Sequence, residues 1–198
     1  MKIYDISQEV FGCCVYPGDP APQKQTLSSM KEGKPYNLTA FSMCAHNGTH
    51  VDAPKHFIDD GASVDELPLE KLVGYAAVVE WNGSMGAADA EKIINRIKSK
   101  SQEAAKRVLL KGKLSLTLEA ARSFADSGIL LVGVESQTVG ETEIAETHRI
   151  LLGANTVILE GIRLGEVNEG IYLLSAAPLS LAGSDGAPVR AVLVDIHE

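Results

Sequence analysis

Short runs of β-branched and apolar residues bounded by Gly, Pro or Asn recur along the chain, and such runs predict strands buried in a sheet. They fall at Ile3 to Ser7, Tyr36 to Cys44, Gly74 to Trp81, Arg107 to Lys111, Ile129 to Val134, Thr156 to Glu160, Ile171 to Leu174 and Val189 to Ile196. Helical spacing begins only after Trp81. Ile93, Ile94 and Ile97 mark a helix over Ala88 to Ser99; Thr117 caps one over Leu118 to Ser127 that stops at Gly128; a third covers Glu141 to Leu152 and stops at Gly153. This order predicts α+β or an irregular α/β fold, without a clean βαβ series. Between Val15 and Pro35 the punctuation by Pro17, Gly18, Pro20, Pro22, Gly33 and Pro35 predicts a long loop without regular structure.

Composition adds limits to this pattern. With 198 residues, 45% of them hydrophobic, one core and one domain spanning 1–198 are expected. The net charge of −8 argues against nucleic acid as a partner, because phosphate backbones demand a basic footprint. No window approaches the ~18 apolar residues of a spanning helix, and Met1-Lys2-Ile3-Tyr4-Asp5 has no apolar stretch after its Lys, so no membrane partner and a cytoplasmic location are expected. Three cysteines, Cys13, Cys14 and Cys44, cannot all pair, and neighbours in sequence rarely bridge, which excludes a disulfide framework.

The chemistry concentrates in Ala45-His46-Asn47-Gly48-Thr49-His50-Val51-Asp52-Ala53-Pro54-Lys55-His56-Phe57. Gly48, Thr49, Val51 and Pro54 disfavour a helix. His46, His50, Asp52 and His56 share one face of an extended chain. A straight strand would nevertheless hold His46 about 13 Å from His50, too far for two imidazoles with bonds of about 2.0 to 2.1 Å to share one ion. The chain must bend, and Gly48 is the place. His50 and Asp52 converge on one ion without a bend. Imidazoles with a carboxylate suit Zn(II), Mn(II) or Fe(II) better than Mg or Ca. His56, four residues beyond Asp52, reads as a proton-transfer group or as a further ligand.

A second segment holds His148, placed near the end of the third predicted helix, and Glu160, which closes the apolar run Thr156-Val157-Ile158-Leu159. Alone, these residues read equally as a helix-end cation and a solvated strand end, or as functional groups at the carboxyl end of a buried strand. His197, one residue from the terminus, is expected to be exposed.

At this point His46-Asn47-Gly48-Thr49-His50-Val51-Asp52-Ala53-Pro54-Lys55-His56-Phe57 resembles the His-x-Gly-Thr-His-x-Asp-x-Pro-x-His signature of the cyclase family, which includes bacterial kynurenine formamidase and isatin hydrolase. Tyr4-Asp5-Ile6-Ser7, Tyr16-Pro17-Gly18-Asp19, His148 to Glu160 and Ala187-Pro188-Val189-Arg190-Ala191-Val192-Leu193 extend the resemblance over nearly the whole chain. It implies an α/β fold of the swivelling type, a curved mixed sheet with a barrel-like core and flanking helices, assembled as a homodimer or homotetramer. It implies a metal-dependent hydrolase of an amide, formamide or cyclic amide or ester, such as N-formylkynurenine, with one or two divalent ions, Zn(II) or Mn(II). His46, His50 and Asp52 would ligate the first ion, Asp52 and Glu160 would bridge, His148 would complete the second, and His56 would be the acid and base. Tyr16 stands where kynurenine formamidases carry a Trp in the substrate pocket, and Glu135 replaces a more usual Asp; the first departure implies a reshaped pocket.

Two other readings compete. Cys44 would be a nucleophile activated by His46 or His50 if residues 44, 46 and 50 share one side of a strand. A closed structural metal site would make the chain a metal-stabilised binding or oligomerisation module, although structural zinc sites favour Cys ligands.

Overall fold

The structure is a computed structural model that describes residues 1–140 and 142–195. In chain order its elements are β1 (Lys2–Asp5), β2 (Gln23–Ser28), β3 (Leu38–Ser42), β4 (His50–Asp52), α1 (Leu69–Leu72), β5 (Val73–Glu80), β6 (Gly83–Met85), α2 (Ala87–Lys100), β7 (Arg107–Lys111), β8 (Leu114–Leu116), α3 (Leu118–Asp126), β9 (Leu131–Val134), α4 (Ile144–Gly153), β10 (Val157–Glu160), β11 (Gly170–Ser175), β12 (Gly186–Pro188) and β13 (Val192–Asp195).

Nine strands form one curled mixed sheet in the order β1-β13-β11-β5-β7-β9-β10-β4-β12. Its centre, β5-β7-β9-β10, is parallel, and every pairing outside that centre is antiparallel. The run β5-α2-β7-α3-β9-α4-β10 is therefore a regular βα series, more regular than the pattern of the whole chain predicts. Period-two alternation divides the side chains between two cores. Leu109, Leu131, Val157 and Leu159 join Val51, Ile6 and Leu193 on one face. Val108, Leu110, Val132 and Ile158 pack against Ile93, Ile94, Ile97, Phe124, Leu151 and Leu152 of the helices on the other. Thr117 Oγ1 accepts from Ala120 N–H at 3.2 Å and caps α3 as its sequence predicts.

The segment from Val15 to Pro35 departs from expectation. Gln23–Ser28 is a strand paired with Leu38–Ser42, and Met30–Glu32 forms a 3-10 turn between them. Its prolines lie outside the strand itself, where they cost no ladder hydrogen bond, and its polar sequence suits a hairpin exposed on both faces. The predicted strand to Cys44 stops at Ser42, and β4, β6, β8 and β12, each of three residues, carry too little pattern to be predicted. The third helix begins at Ile144, so His148 sits at its middle, not its end. Glu141, Ile196 and His197 lie outside the described residues.

Arg107 shows how β7 is tied to α1. Its guanidinium is buried and donates to the carbonyls of Glu70, Lys71 (3.2 Å) and Tyr75 (3.2 Å). Arg107→Met removes a buried donor from three part-buried carbonyls and is expected to cost about 1 to 3 kcal/mol in denaturant unfolding. Metal content should stay at the parent level; a parallel loss of metal would mean that this anchor reaches the site described next.

Candidate metal centre

One pairing places three polar side chains, and a helix brings a fourth to them. β4 lies antiparallel to β10, with His50 opposite Glu160 and Asp52 opposite Ile158. Paired residues point to the same face, so His50, Asp52 and Glu160 join Ile158 on the helix side, where α4 presents His148. Val51 and Leu159 point the other way into the opposite core. All four polar side chains are buried.

The bend at Gly48 brings His46 back to them. Gly48 has φ 66°, its N–H donates to Cys14 O at 3.0 Å, and an added Cβ would stand 2.8 Å from Cys13 Cβ. The rings of His46 and His50 lie 5.1 Å apart. Thr49 Oγ1 locks the turn by donating to Gly161 O at 2.8 Å, directly after Glu160. Beyond β4, a 3-10 turn over Pro54–His56 folds His56 over His46, with ring centroids 4.0 Å apart.

Among the described residues, two sets of donor atoms are close enough to hold a cation: His46, Asp52 and His56, and His50, Asp52 and Glu160. Asp52 belongs to both. Nε2 of His148 lies 3.2 Å from Glu160 Oε1 and 3.5 Å from Asp52 Oδ2. Those two oxygens are buried and accept no hydrogen bond, so the donor set fits a divalent cation. His50 and His148 each tie Nδ1 to a backbone carbonyl, Gly48 O at 3.1 Å and Ile144 O at 2.7 Å, and turn Nε2 toward the carboxylates. Such ties fix the tautomer of a ligating imidazole.

The electrostatics follow from burial. Burial alone would lower His50 and His148, but the close carboxylates of Asp52 and Glu160, with their negative charges, outweigh it and push both up to about 10. Burial would raise Asp52, yet the three imidazoles hold its carboxyl well below the usual range. His56 moves the other way, lowered chiefly by burial.

Sequence reasoning missed Asp185. Its Oδ2 lies 3.0 Å from His46 Nε2 and 3.2 Å from His56 Nδ1. Its only signal was an acid between Ser184 and Gly186 before a strand, far from the motif in sequence. Gln137, which donates to Gly48 O at 3.2 Å, carried no signal. A cavity of about 430 Å³ opens onto the cluster, lined by Tyr16, Asp19, Phe57, Gln137 and Ile144 among others. Tyr16 reaches it on a turn in which Asp19 N–H donates to Tyr16 O at 3.0 Å and Gly18 takes φ 102°, a type II turn with Pro17 at its first corner. Cys44 lies on the same wall, but its thiol points to Asp19 Oδ2 at 3.8 Å and not to the imidazole of His46 or His50 that a cysteine nucleophile would need. Glu135 sits apart: it accepts from Gly112 N–H and Leu164 N–H, each at 2.8 Å, and joins the end of β7 to the chain after β10.

The Cyclase family model matches residues 4–141. This chain belongs to the cyclase family. It is 34% identical to the kynurenine formamidase of Salinibacter ruber, with 98% of each chain covered, and 32% identical to that of Bacillus anthracis, with 97% of each covered. Among solved structures, a predicted metal-dependent hydrolase from Bacillus stearothermophilus superimposes with a TM-score of 0.79 at 30% identity, over 97% of both chains. An isatin hydrolase bound to thioisatinate shares the fold, with a TM-score of 0.81 at 18% identity over 97% of this chain and 91% of that one.

A histidine whose pKa rises on folding adds stability that is complete below its unfolded value of about 6.5 and is lost as pH climbs through its folded value. The chelator-treated cyclase is therefore expected to lose stability from about pH 6.5 to about 10, as His50 and His148 deprotonate beside Asp52 and Glu160. Metal affinity should rise over the same range, because ligands must shed their protons. Thermal melts across pH with and without chelator check both slopes; a metal-free melting temperature that rises with pH would contradict the assignment.

Proposed function

We propose that this cyclase-family chain is a metal-dependent hydrolase of an amide, formamide or cyclic amide or ester, with Zn(II) or Mn(II), one or two ions per subunit, held by His46, His50, Asp52, His148 and Glu160. The observation that carries the reading is the pair of buried carboxylate oxygens, Asp52 Oδ2 and Glu160 Oε1, that accept no hydrogen bond among imidazoles whose outer nitrogens are already tied. The cavity on one side of the cluster makes this an open site, as catalytic sites are, and speaks against a closed structural one.

When bound, a divalent ion supplies Lewis acidity and brings the pKa of water from 15.7 towards roughly 7. The chain supplies the rest. His56, half-buried and with its pKa lowered, is neutral near pH 7 and accepts a proton at the nitrogen not tied to Asp185. It then delivers that proton to the leaving nitrogen or oxygen, help worth about 100- to 10,000-fold. Tyr16, Phe57 and Ile144 offer an apolar wall to an aryl or acyl group. Kynurenine formamidase relatives make N-formylkynurenine the first substrate to try.

The test begins with metal analysis of the purified protein, followed by turnover of N-formylkynurenine, isatin and simple lactones. Asp52→Ala should lose most bound metal, since Asp52 belongs to both donor sets. His56→Ala should keep the metal and lose about 100-fold or more in turnover. Metal retained in Asp52→Ala would remove the central claim, and metal lost from a folded His56→Ala would make His56 a ligand.

We further propose a homodimer or homotetramer. The β2–β3 hairpin and its turn expose Leu27, Met30, Tyr36, Leu38 and Phe41, an apolar surface of the kind that marks interfaces. Light scattering should give at least twice the protomer mass; one protomer mass would contradict it.

A further inference from the structure

We propose that Asp185 is a positioning residue whose Oδ2, shared by Nε2 of His46 and Nδ1 of His56, fixes which nitrogen of each ring carries a proton. It thereby aims Nδ1 of His46 at the metal centre and Nε2 of His56 at the substrate. The proposal rests on the reading of His46 as a ligand and His56 as the proton-transfer group.

The first argument is a contrast among the three imidazoles around Asp52. In His50 and His148 the outer nitrogen is tied to a backbone carbonyl and the inner one faces a carboxylate. His46 has no such carbonyl. Its Nδ1 lies 2.9 Å from Asp52 Oδ1, and its outer nitrogen, Nε2, meets Asp185 Oδ2 at 3.0 Å. Asp185 does for His46 what the backbone does for the other two. An ionised carboxylate only accepts hydrogen bonds, so without an ion both nitrogens donate; the proton on Nδ1 is the one that a cation beside Asp52 would replace, and Asp185 keeps the one on Nε2.

The second argument is that the same oxygen reaches His56. Nδ1 of His56 lies 3.2 Å from Asp185 Oδ2, and by the same reasoning that nitrogen keeps its proton while Nε2 holds the lone pair. The proton taken from the attacking water enters at Nε2 and leaves from Nε2 to the departing group, so Asp185 neither gains nor loses one. The two rings lie stacked at 4.0 Å with 25° between their planes, a placement that one shared acceptor enforces.

The third argument is that the platform is rigid. Asp185 O accepts from Ala53 N–H at 2.9 Å, and Gly186 pairs with Asp52 across β12 and β4. An added Cβ at Gly186 would stand 2.7 Å from His46 Cε1 and 2.7 Å from Val51 O, so the backbone lies against the His46 ring with room for no side chain. The Asp185 side chain itself is 45% exposed, so its removal leaves the core intact.

The experiment uses full-length protein with ¹⁵N-labelled histidine, loaded with zinc, as parent, Asp185→Ala and the isosteric Asp185→Asn. Long-range proton–nitrogen spectra should show His56 protonated at Nδ1 and His46 at Nε2 in the parent. In Asp185→Ala both ring assignments should lose that fixed form, and zinc affinity in chelator competition should fall about 10- to 100-fold. Turnover under zinc saturation should drop with KM near the parent's, and in a His56→Ala background Asp185→Ala should lower turnover much less while still weakening zinc. Asp185→Asn, which keeps one acceptor but no charge, should fall between parent and Asp185→Ala. A parent His56 protonated at Nε2, or tautomers and zinc affinity unchanged in both variants, would overturn the proposal. A parent that binds zinc but hydrolyses nothing would sink the hydrolase reading alone, and the spectra and affinities would still decide the role of Asp185.

Discussion

Two carboxylates, Asp52 and Glu160, lie buried side by side, and the surrounding structure is organised by what that placement demands. An ionised carboxylate moved out of water costs several kcal/mol unless it is paired and hydrogen-bonded. Here the compensation comes from imidazoles on separate pieces of chain: His46 from a turn, His50 from β4 and His148 from α4. None of the three is positioned by its own element alone. β4 has only three residues, and it holds its place because β10 and β12 pair on either side of it and because Thr49 and Ala53 bond to Gly161 and Asp185 at its two ends. The outer nitrogens are all occupied by acceptors, so each inner nitrogen has a single direction in which to act.

The same constraint explains why a stable fold tolerates the cluster. In the protein without an ion, raised histidine pKa values let protons balance the carboxylates. A divalent cation takes over that role at the cost of those protons, which couples metal affinity to pH and to stability through one set of residues. The half of the cluster nearest the cavity behaves differently. His56 is pushed down by burial and faces a half-exposed acid, so it stays neutral under conditions in which the deeper His50 and His148 hold their protons.

Much of this was legible because its signals are local. Alternation along His50-Val51-Asp52 gave one shared face for His50 and Asp52, the apolar run before Glu160 marked it as the end of a buried strand, and the distance argument required the bend that Gly48 supplies. The strands of the central sheet carry continuous apolar runs, and Arg107–Lys111 begins and ends where its pattern does. What failed to show was decided by partners distant in sequence. The exposed Gln23–Ser28 strand has no apolar run, since neither of its faces meets a core. β12 is three residues whose strand character comes only from β4, and Asp185 precedes it with no periodicity linking it to His46. His148 looked like a helix end because Gly153 fixed the stop, while the start at Ile144 left it mid-helix and buried among the carboxylates.

The site therefore divides into two parts with different origins. The deep part is set by sheet register: sliding β4 by one residue against β10 would turn His50 and Asp52 into the opposite core and bring Val51 to the carboxylate face. Such a part cannot be varied piecemeal. The mouth is made by Tyr16 and Asp19 on a proline-glycine turn that leads into an exposed hairpin, and these two side chains face the deep part across the cavity. A loop of this kind accepts substitutions that reshape a pocket without moving the groups at its floor. Tyr16 is one such position, on the mouth and apart from the motif from His46 to His56. If the floor carries the chemistry and the mouth the substrate choice, as proposed above, the two rest on segments that this fold allows to change independently.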